Sequence, residues 1–225
     1  NTVKIIKQNL IGLKNVSRNR QLQELKKITY IKNFYKINSN ILSRELFGLI
    51  FPELKYINRI DKLDNLSIEI LKQKNFDFIL SLLLIDKSED TDYFLYKYNL
   101  SNKEKDKISF LYSIFSEEPK KGFFTKENLS KIIIKHGKEN LIDVLDYKIL
   151  TTRKNRNDFL DLKKYFIDFK IPVLPIKAND LIERFDLKEG KLLGSILREI
   201  EEKWLENNFN ISKNQIEDIV KSKHI

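Results

Sequence analysis

The stretch Ser101-Asn-Lys-Glu-Lys-Asp-Lys-Ile-Ser-Phe-Leu-Tyr-Ser-Ile-Phe115 carries the clearest helix signature in the chain. Ser101 and Glu104 have the spacing of a capping box, in which each side chain accepts a hydrogen bond from the backbone N–H of the other residue. Apolar side chains follow at helical spacing, at Ile108, Leu111, Tyr112 and Phe115. This pattern predicts an amphipathic helix that begins directly after Ser101.

Similar helix signals recur along the chain, whereas strand signals are weak. Ser212-Lys-Asn-Gln215 repeats the capping pattern, and a further apolar stripe runs from Ile196 to Leu205. Only six Gly and four Pro interrupt 225 residues, and no Asn-Gly or Asp-Gly hairpin turn occurs. We therefore predict an all-α fold, with an elongated multi-helix body and a small helical tail.

Two segments in the second half of the chain are expected to separate helices. The polar and charged stretch Thr151–Asn157 suits a tight connection between two helices. Ile171-Pro-Val-Leu-Pro175 cannot continue a helix, because Pro175 disfavours helical geometry at Leu174. This second segment is the best boundary for a separate tail.

The charge balance favours a polyanionic partner. The chain has 42 Lys+Arg against 32 Asp+Glu, a formal net charge of +10. Arg occupies only eight positions, and Lys, Asn and Ile are abundant throughout. An AT-rich genome would produce the same bias, so the charge alone does not establish a nucleic-acid site.

Several classes of protein are excluded by what the chain lacks. It has no cysteine, which rules out disulfides, thiolate zinc sites and a cysteine nucleophile. It has no run of about 18 apolar residues, so we expect no membrane span and no membrane partner. It has no methionine and no signal segment. We therefore expect a cytoplasmic protein with a substantial part before Asn1, the alternative being loss of a processed tip.

No catalytic or metal-binding residue is predicted in this chain. Asp90-Thr-Asp92 has the spacing of carboxylates that hold Mg²⁺, but no glycine-serine turn or strand precedes it. Asp90 or Thr91 is more simply the N-cap of a helix over Tyr93–Tyr98. No glycine-rich phosphate loop occurs. His136 and His224 are expected at the surface, His136 near a helix end before Gly137.

The first part of the chain contains a characteristic set of residues, which are Val16, Ser17, Arg20, Glu24 and Leu25. This set resembles the neck of the class II tRNA nucleotidyltransferase and poly(A) polymerase family, where the pattern runs Val-Ser-x-Glu-Arg-Ile-x-x-Glu-Leu. Asn19 and Gln21 depart from the family's Glu and Ile. Glu45-Leu-Phe47 and Phe51-Pro-Glu-Leu54 are also similar to the family in order and spacing.

The last part of the chain resembles the tail of the same family. The family's Gly-x-Asp-Leu and Lys-Pro-Gly-Pro-x-Leu-Gly patterns, with an Ile-Leu after them, are matched at Asp180, Leu181, Gly190, Gly194 and Leu197. The departures include Ala178 for a usual Gly and Glu189 for a usual Pro. Glu201-Glu-Lys-Trp204, followed by Asn208-Phe209, looks like the bacterial CCA-adding type.

The resemblance implies the carboxy-terminal part of a template-independent CCA-adding tRNA nucleotidyltransferase. Its domains would be the end of the neck (1–63), a helical body (64–170) and a tRNA-binding tail (171–225). The full-length enzyme would add CMP and AMP from CTP and ATP to the tRNA 3′ end, with Mg²⁺ held by a head that no segment here matches. This chain alone would be inactive. The alternatives are a poly(A) polymerase of the same family and a non-enzymatic helical RNA-binding or interaction protein.

The resemblance and the charges together suggest two kinds of site. Arg20 and Glu24 would support the nucleotide pocket, although residues four apart on a helix also form ordinary exposed salt bridges. Lys188, Gly190 and Lys191 would bind a tRNA phosphate at a helix N-terminus, the alternative being a plain helical hairpin with Gly194 as a packing contact.

The densest Arg-containing cluster of the chain is expected to contact the same RNA. Arg153, Lys154 and Arg156 would bind the backbone of the tRNA acceptor or T arm, the alternative being a polar linker with solvated charges. Aromatic residues that could stack on bases are mostly expected in the core, because they interleave with Leu at helical spacing: Phe76, Phe78, Tyr93, Phe94, Tyr96 and Tyr98.

Overall fold

The chain is all-α, as predicted. The computed structural model describes residues 8–9, 12, 15–30, 34, 40–60 and 63–223, and within these ranges it contains eleven α-helices, one short 3₁₀ helix at Ile57–Ile60 and no strand. The α-helices are α1 (Arg18–Thr29), α2 (Ile41–Ile50), α3 (Asn65–Lys72), α4 (Phe76–Leu84), α5 (Asp90–Lys97), α6 (Asn102–Phe115), α7 (Lys126–Thr151), α8 (Arg156–Ile167), α9 (Ala178–Phe185), α10 (Lys191–Glu206) and α11 (Lys213–Lys223). None of the helices in this part of the chain is long and apolar enough to cross a bilayer.

The chain divides into two compact units. The first unit contains the residues up to Phe123 together with Glu139–Ile167, and the second contains Phe124–Lys138 together with the residues from Asp168 onward. The helical segment α7 passes from one unit to the other and is interrupted at Gly137, whose φ of 85° is not helical. The helix end predicted near His136 is therefore confirmed, while the three-domain division stays a prediction.

The core of the first unit is built around α4. All nine residues of this helix are buried, and it packs against α6, α1 and the 3₁₀ helix. The two polar residues of this helix are Asp77 and Ser81, and the Ser81 hydroxyl donates to the backbone oxygen of Asp77 at 2.8 Å. Burying one Leu or Phe side chain contributes about 1.5–3 kcal/mol. Helix α4 is thus the centre of the first unit.

The predicted helix starts are confirmed by their caps. The Ser101 N–H donates to Glu104 Oε2 at 2.9 Å, and the Glu104 N–H donates to Ser101 Oγ at 3.3 Å. Ser212 and Gln215 make the same pair of bonds at the start of α11, at 2.9 and 3.2 Å. These reciprocal bonds satisfy N–H groups that the first helical turn leaves without acceptors.

A buried network of ion pairs fixes α7 inside the first unit. Asp143 and Asp146 are 2% and 1% exposed. Lys74 Nζ lies 2.6 Å from a carboxylate oxygen of each of them. Lys107 on α6 adds a 2.8 Å contact to Asp143, and Lys163 on α8 adds a 2.6 Å contact to Asp146. The network therefore ties three helices together, and breaking such a buried pair is strongly destabilising.

The second unit has a separate apolar core. Leu181 on α9 and Ile196 and Ile200 on α10 are fully buried, and α11 closes the core with Ile216 and Val220. The stripe predicted from Ile196 to Leu205 faces inward, and Trp204 at its end is 2% exposed. This core fixes the connection between α9 and α10, where the predicted tail residues lie.

Candidate nucleic-acid interface

The turn between α9 and α10 places Gly190 at a helix N-terminus, as predicted. Helix α9 ends at Phe185, Asp186 follows in the left-handed conformation with φ 51°, and α10 begins at Lys191. Gly190 is the N-cap, with φ 149° and ψ −168°. This backbone conformation is accessible essentially to glycine alone, so Gly190 is required for the turn itself.

The structure brings Lys188, Gly190 and Lys191 together at an open helix end. Both lysines are exposed, and neither forms an ion pair within the described ranges. Gly190 has no side chain to cap the helix, so the first N–H groups of α10 remain available. Free N–H groups, the positive end of the helix dipole and two adjacent ammonium groups suit a phosphate.

Two neighbouring residues on α10 add to this surface. Gly194 is exposed, and a Cβ at this position would meet no atom within 4 Å, so the alternative of a packing glycine is wrong. Arg198 is also exposed and lies seven residues after Lys191, on the same helix face. Sequence reasoning missed Arg198, although that spacing was visible. The exposed face from Lys191 through Gly194 to Arg198 has two cations with open space between them.

Arg153 and Lys154 lie in the connection between α7 and α8, which is as tight as predicted. Both side chains are exposed, and neither forms an ion pair in the part of the chain that the structure describes. Asn155 adopts the left-handed conformation with φ 56°, and the Thr152 hydroxyl donates to the Lys154 backbone oxygen at 3.2 Å. The backbone of the connection is thus held in place while its two cations face solvent.

Arg156 differs from these two residues because its guanidinium is bound within the protein. Nη2 donates to Asp64 Oδ1 at 3.1 Å and to Ser67 Oγ at 2.7 Å, and Nη1 donates to Asp64 Oδ2. The Arg156 guanidinium, with help from Ser67, holds the pKa of the Asp64 carboxyl well below its usual range. A direct RNA contact by Arg156 stays a prediction. In the structure its guanidinium binds Asp64 and Ser67, so its established contacts are within the protein.

Arg20 and Glu24 lie on the exposed face of α1. The opposite face of the helix is anchored by Leu22 and Leu25, which are 1% and 0% exposed. Glu24 takes Lys27 as its partner rather than Arg20, with Lys27 Nζ 2.9 Å from Glu24 Oε1. The hydrogen bond to Lys27 lowers the pKa of Glu24. The pocket-support role of Arg20 and Glu24 stays a prediction.

The Asp90–Asp92 segment is a helix start. The N-cap is Glu89 rather than Asp90 or Thr91, and α5 begins at Asp90, three residues before the predicted start at Tyr93. The Ser88 hydroxyl donates to Asp90 Oδ2 at 2.8 Å, Lys55 forms an ion pair with the same carboxylate, and these contacts lower the pKa of Asp90. The described residues contain no group of three or more His, Asp or Glu side chains placed to hold a metal ion.

The aromatic residues divide between core and surface. Four are buried, as predicted for most of the set: Phe76, Phe78, Phe94 and Tyr98. Tyr93 and Tyr96, both on α5, are 53% and 89% exposed. His136 lies at the surface as predicted, and His224 lies outside the described residues.

Comparison with known families gives one match. The family model for tRNA nucleotidyltransferase domain 2 matches residues 72–220, which is more than half of the chain. The chain belongs to the tRNA nucleotidyltransferase family. The matched region of this tRNA nucleotidyltransferase chain contains Arg153, Lys154 and Arg156 as well as the turn at Gly190, and it begins after Arg20 and Glu24. The comparison with curated proteins returns no match.

Proposed function

We propose that this chain docks tRNA for a CCA-adding tRNA nucleotidyltransferase, which adds CMP and AMP to the tRNA 3′ end. The single observation that supports docking most strongly is the open N-terminus of α10, where Lys188 and Lys191 flank Gly190 with no protein partner among the described residues. That turn lies inside the region that matches the family. The tRNA partner follows from the family, and the phosphate chemistry follows from the turn.

Docking would depend on the phosphate backbone of the acceptor and T arms. Lys188, Lys191, Arg153 and Lys154 are exposed cations of the kind that bind phosphates and displace counterions. Phosphate contacts fix the position of an RNA but carry no sequence information. The chain should therefore bind different tRNAs with similar affinity, as an enzyme that extends every tRNA requires.

Arg20 and Glu24 would act on the nucleotide rather than on the RNA. Helix α1 is anchored by Leu22 and Leu25, so its outer face can hold a neighbouring nucleotide-binding helix in place. In the full-length enzyme, Arg20→Ala should lower turnover with CTP and ATP more than it lowers the melting temperature. A change in melting temperature alone would contradict this role.

The transfer chemistry itself would lie outside this chain. In-line attack of a ribose 3′-OH on CTP or ATP needs Mg²⁺ and carboxylates that hold it. Asp90 is engaged by Lys55 and Ser88, as an ordinary surface carboxylate would be. We expect the chain alone to transfer no CMP or AMP to a truncated tRNA in the presence of Mg²⁺. Measurable transfer would contradict this and return attention to Asp90 and Asp92.

With the full-length enzyme, CMP incorporation favours CCA addition over poly(A) synthesis.

The docking proposal is tested by charge reversal at the turn. The double variant Lys188→Glu/Lys191→Glu should bind tRNA at least tenfold more weakly than the wild type, because two phosphate contacts are replaced by two repulsions. The matched control is Lys213→Glu/Lys221→Glu, which makes the same change in net charge at exposed positions on α11. Equal losses in both double variants would mean that net charge, and not the turn, governs binding.

A further inference from the structure

Two clefts adjoin in the first unit. The first, called here the arginine cleft, has a volume of about 480 Å³, and its lining includes Arg59, Asp64, Ser67, Thr151, Arg153 and Arg156. The second, called here the aromatic cleft, has a volume of about 470 Å³, and its lining includes Tyr56, Arg59, Asp86, Phe115, Tyr147 and Thr151. Arg59 and Thr151 line both clefts. Each volume lies within the range of small-molecule sites, about 300–1,000 Å³.

The arginine cleft has the chemistry of an anion site. Its three guanidinium groups face a single carboxylate, Asp64, which Arg156 already neutralises. Within the described ranges, Arg59 makes hydrogen bonds through Nη1 only. This nitrogen donates to the backbone oxygens of Leu82 at 3.0 Å and Ile85 at 2.8 Å. It also donates to the hydroxyl oxygen of Tyr147 at 2.9 Å. The Nε and Nη2 of Arg59 therefore remain available, as does the exposed Arg153. Guanidinium donors of this kind bind phosphate oxygens.

The aromatic cleft has the chemistry of a site for a flat, uncharged group. Phe115 stacks on Tyr147 with ring centroids 4.2 Å apart, and the Arg59 guanidinium lies 3.9 Å from the Tyr56 ring centroid. The charges on its lining balance, with three cations and three carboxylates: Arg59, Lys87, Lys148, Asp86, Glu117 and Glu118. Tyr147 is 3% exposed, whereas Phe115 and Tyr56 are only half-buried. Their exposed ring surface, beside both donors and acceptors, suits a nucleobase, since every base has a π-face and polar edges.

We propose that the two adjoining clefts bind one unpaired nucleotide, with its phosphate in the arginine cleft and its base in the aromatic cleft. Arg59 lines both clefts and therefore lies at their junction. Its free N–H groups can donate to the phosphate, while its guanidinium plane stacks on the Tyr56 ring. The nucleotide is either free in solution or part of a single RNA strand, and both present the same phosphate and base. The proposal does not depend on the tail turn, which lies in the other unit.

The test measures nucleotide binding to the 225-residue chain by isothermal titration calorimetry, without tRNA. AMP and CMP should bind more tightly than inorganic phosphate or adenosine, because only they fill both clefts. Arg153→Ala should weaken AMP binding about tenfold through loss of charge-assisted hydrogen bonds and leave adenosine binding unchanged. Phe115→Leu should weaken adenosine binding while phosphate binding stays the same. Arg44→Ala, at an exposed arginine of α2 that lines neither cleft, is the matched control.

Arg59 is left intact because its bonds to Leu82 and Ile85 support the fold, and melting curves confirm that each variant is folded. A short single-stranded RNA that binds more tightly than AMP and competes with it assigns the clefts to an RNA strand. Equal or weaker binding of that RNA, with AMP still bound, assigns them to a free nucleotide. The proposal is overturned if AMP binds no better than phosphate, or if folded Arg153→Ala binds AMP as the wild type does.

Discussion

Replacing Arg156 by alanine should destabilise the protein, although Arg156 belongs to a cluster that resembles an RNA-binding site. Asp64 is the N-cap of α3 and accepts the Ser67 N–H at 2.9 Å. Arg156, the first residue of α8, binds both oxygens of that carboxylate and the Ser67 hydroxyl. Arg156 therefore clamps the start of α8 onto the start of α3.

The size of the effect follows from these contacts. The Asp64 side chain is 54% exposed, so solvent screening limits its ion pair with Arg156 to at most about 1 kcal/mol. The bond to Ser67, a residue only 4% exposed, adds about 1 kcal/mol. Arg156→Ala should thus lower the free energy of unfolding by about 2 kcal/mol, or the melting temperature by roughly 4–8 °C.

The assay compares Arg156→Ala with Arg153→Ala by circular dichroism melting and by tRNA binding. Arg153 is exposed and unpaired among the described residues, so Arg153→Ala should change stability by less than about 0.5 kcal/mol. The tRNA affinity of Arg153→Ala should fall, whereas the tRNA affinity of folded Arg156→Ala should fall less. If Arg156→Ala keeps the wild-type melting temperature and loses as much tRNA affinity as Arg153→Ala, the clamp is wrong and Arg156 is an RNA contact.

Three further predictions concern stability. Asp146→Asn removes the buried partner of two lysines and should lower the free energy of unfolding in urea by about 3 kcal/mol. A loss below about 1 kcal/mol would show that the network adds little to stability. Gly194→Ala should raise stability by about 0.5–1 kcal/mol because the site is helical, exposed and unobstructed. Gly190→Ala should lower stability by about 1–3 kcal/mol because φ is 149°. A melting shift of the opposite sign in either variant would contradict the prediction for that variant. The pKa values of Asp64 and Asp90 are lowered in the folded state, so their stabilising contribution is complete above pH of about 4 and is lost as pH falls through the lower folded values. Urea unfolding at a series of pH values should show stability falling in that acidic range, and a flat profile would refute the ion pairs.

Local signals in the sequence were sufficient for the helices. The capping boxes at Ser101 and Ser212, and the turn at Gly190, depend on residues within five positions of one another, and all three have the predicted form. The helix break at Gly137 is similarly local. Such features follow from backbone chemistry, which the sequence specifies directly.

Contacts between distant segments could not be predicted. Arg156 and its partner Asp64 are 92 positions apart, so the cluster with Arg153 and Lys154 looked uniform in the sequence. The aromatic cleft likewise combines residues near positions 56, 86, 115 and 147. Periodicity also did not separate buried Tyr98, the C-cap of α5, from exposed Tyr96 two residues earlier, because packing against other helices decides which side chains are covered.

The salt dependence of tRNA binding tests the central claim most directly. The measurement is the slope of the logarithm of the association constant against the logarithm of salt concentration, for the wild type and for Lys188→Glu/Lys191→Glu. Each phosphate contact contributes about 0.7–0.9 to this slope, so the slope of the double variant should be shallower by about 1.4–1.8. The same slope and the same affinity in a folded double variant would contradict tRNA docking at the turn before α10.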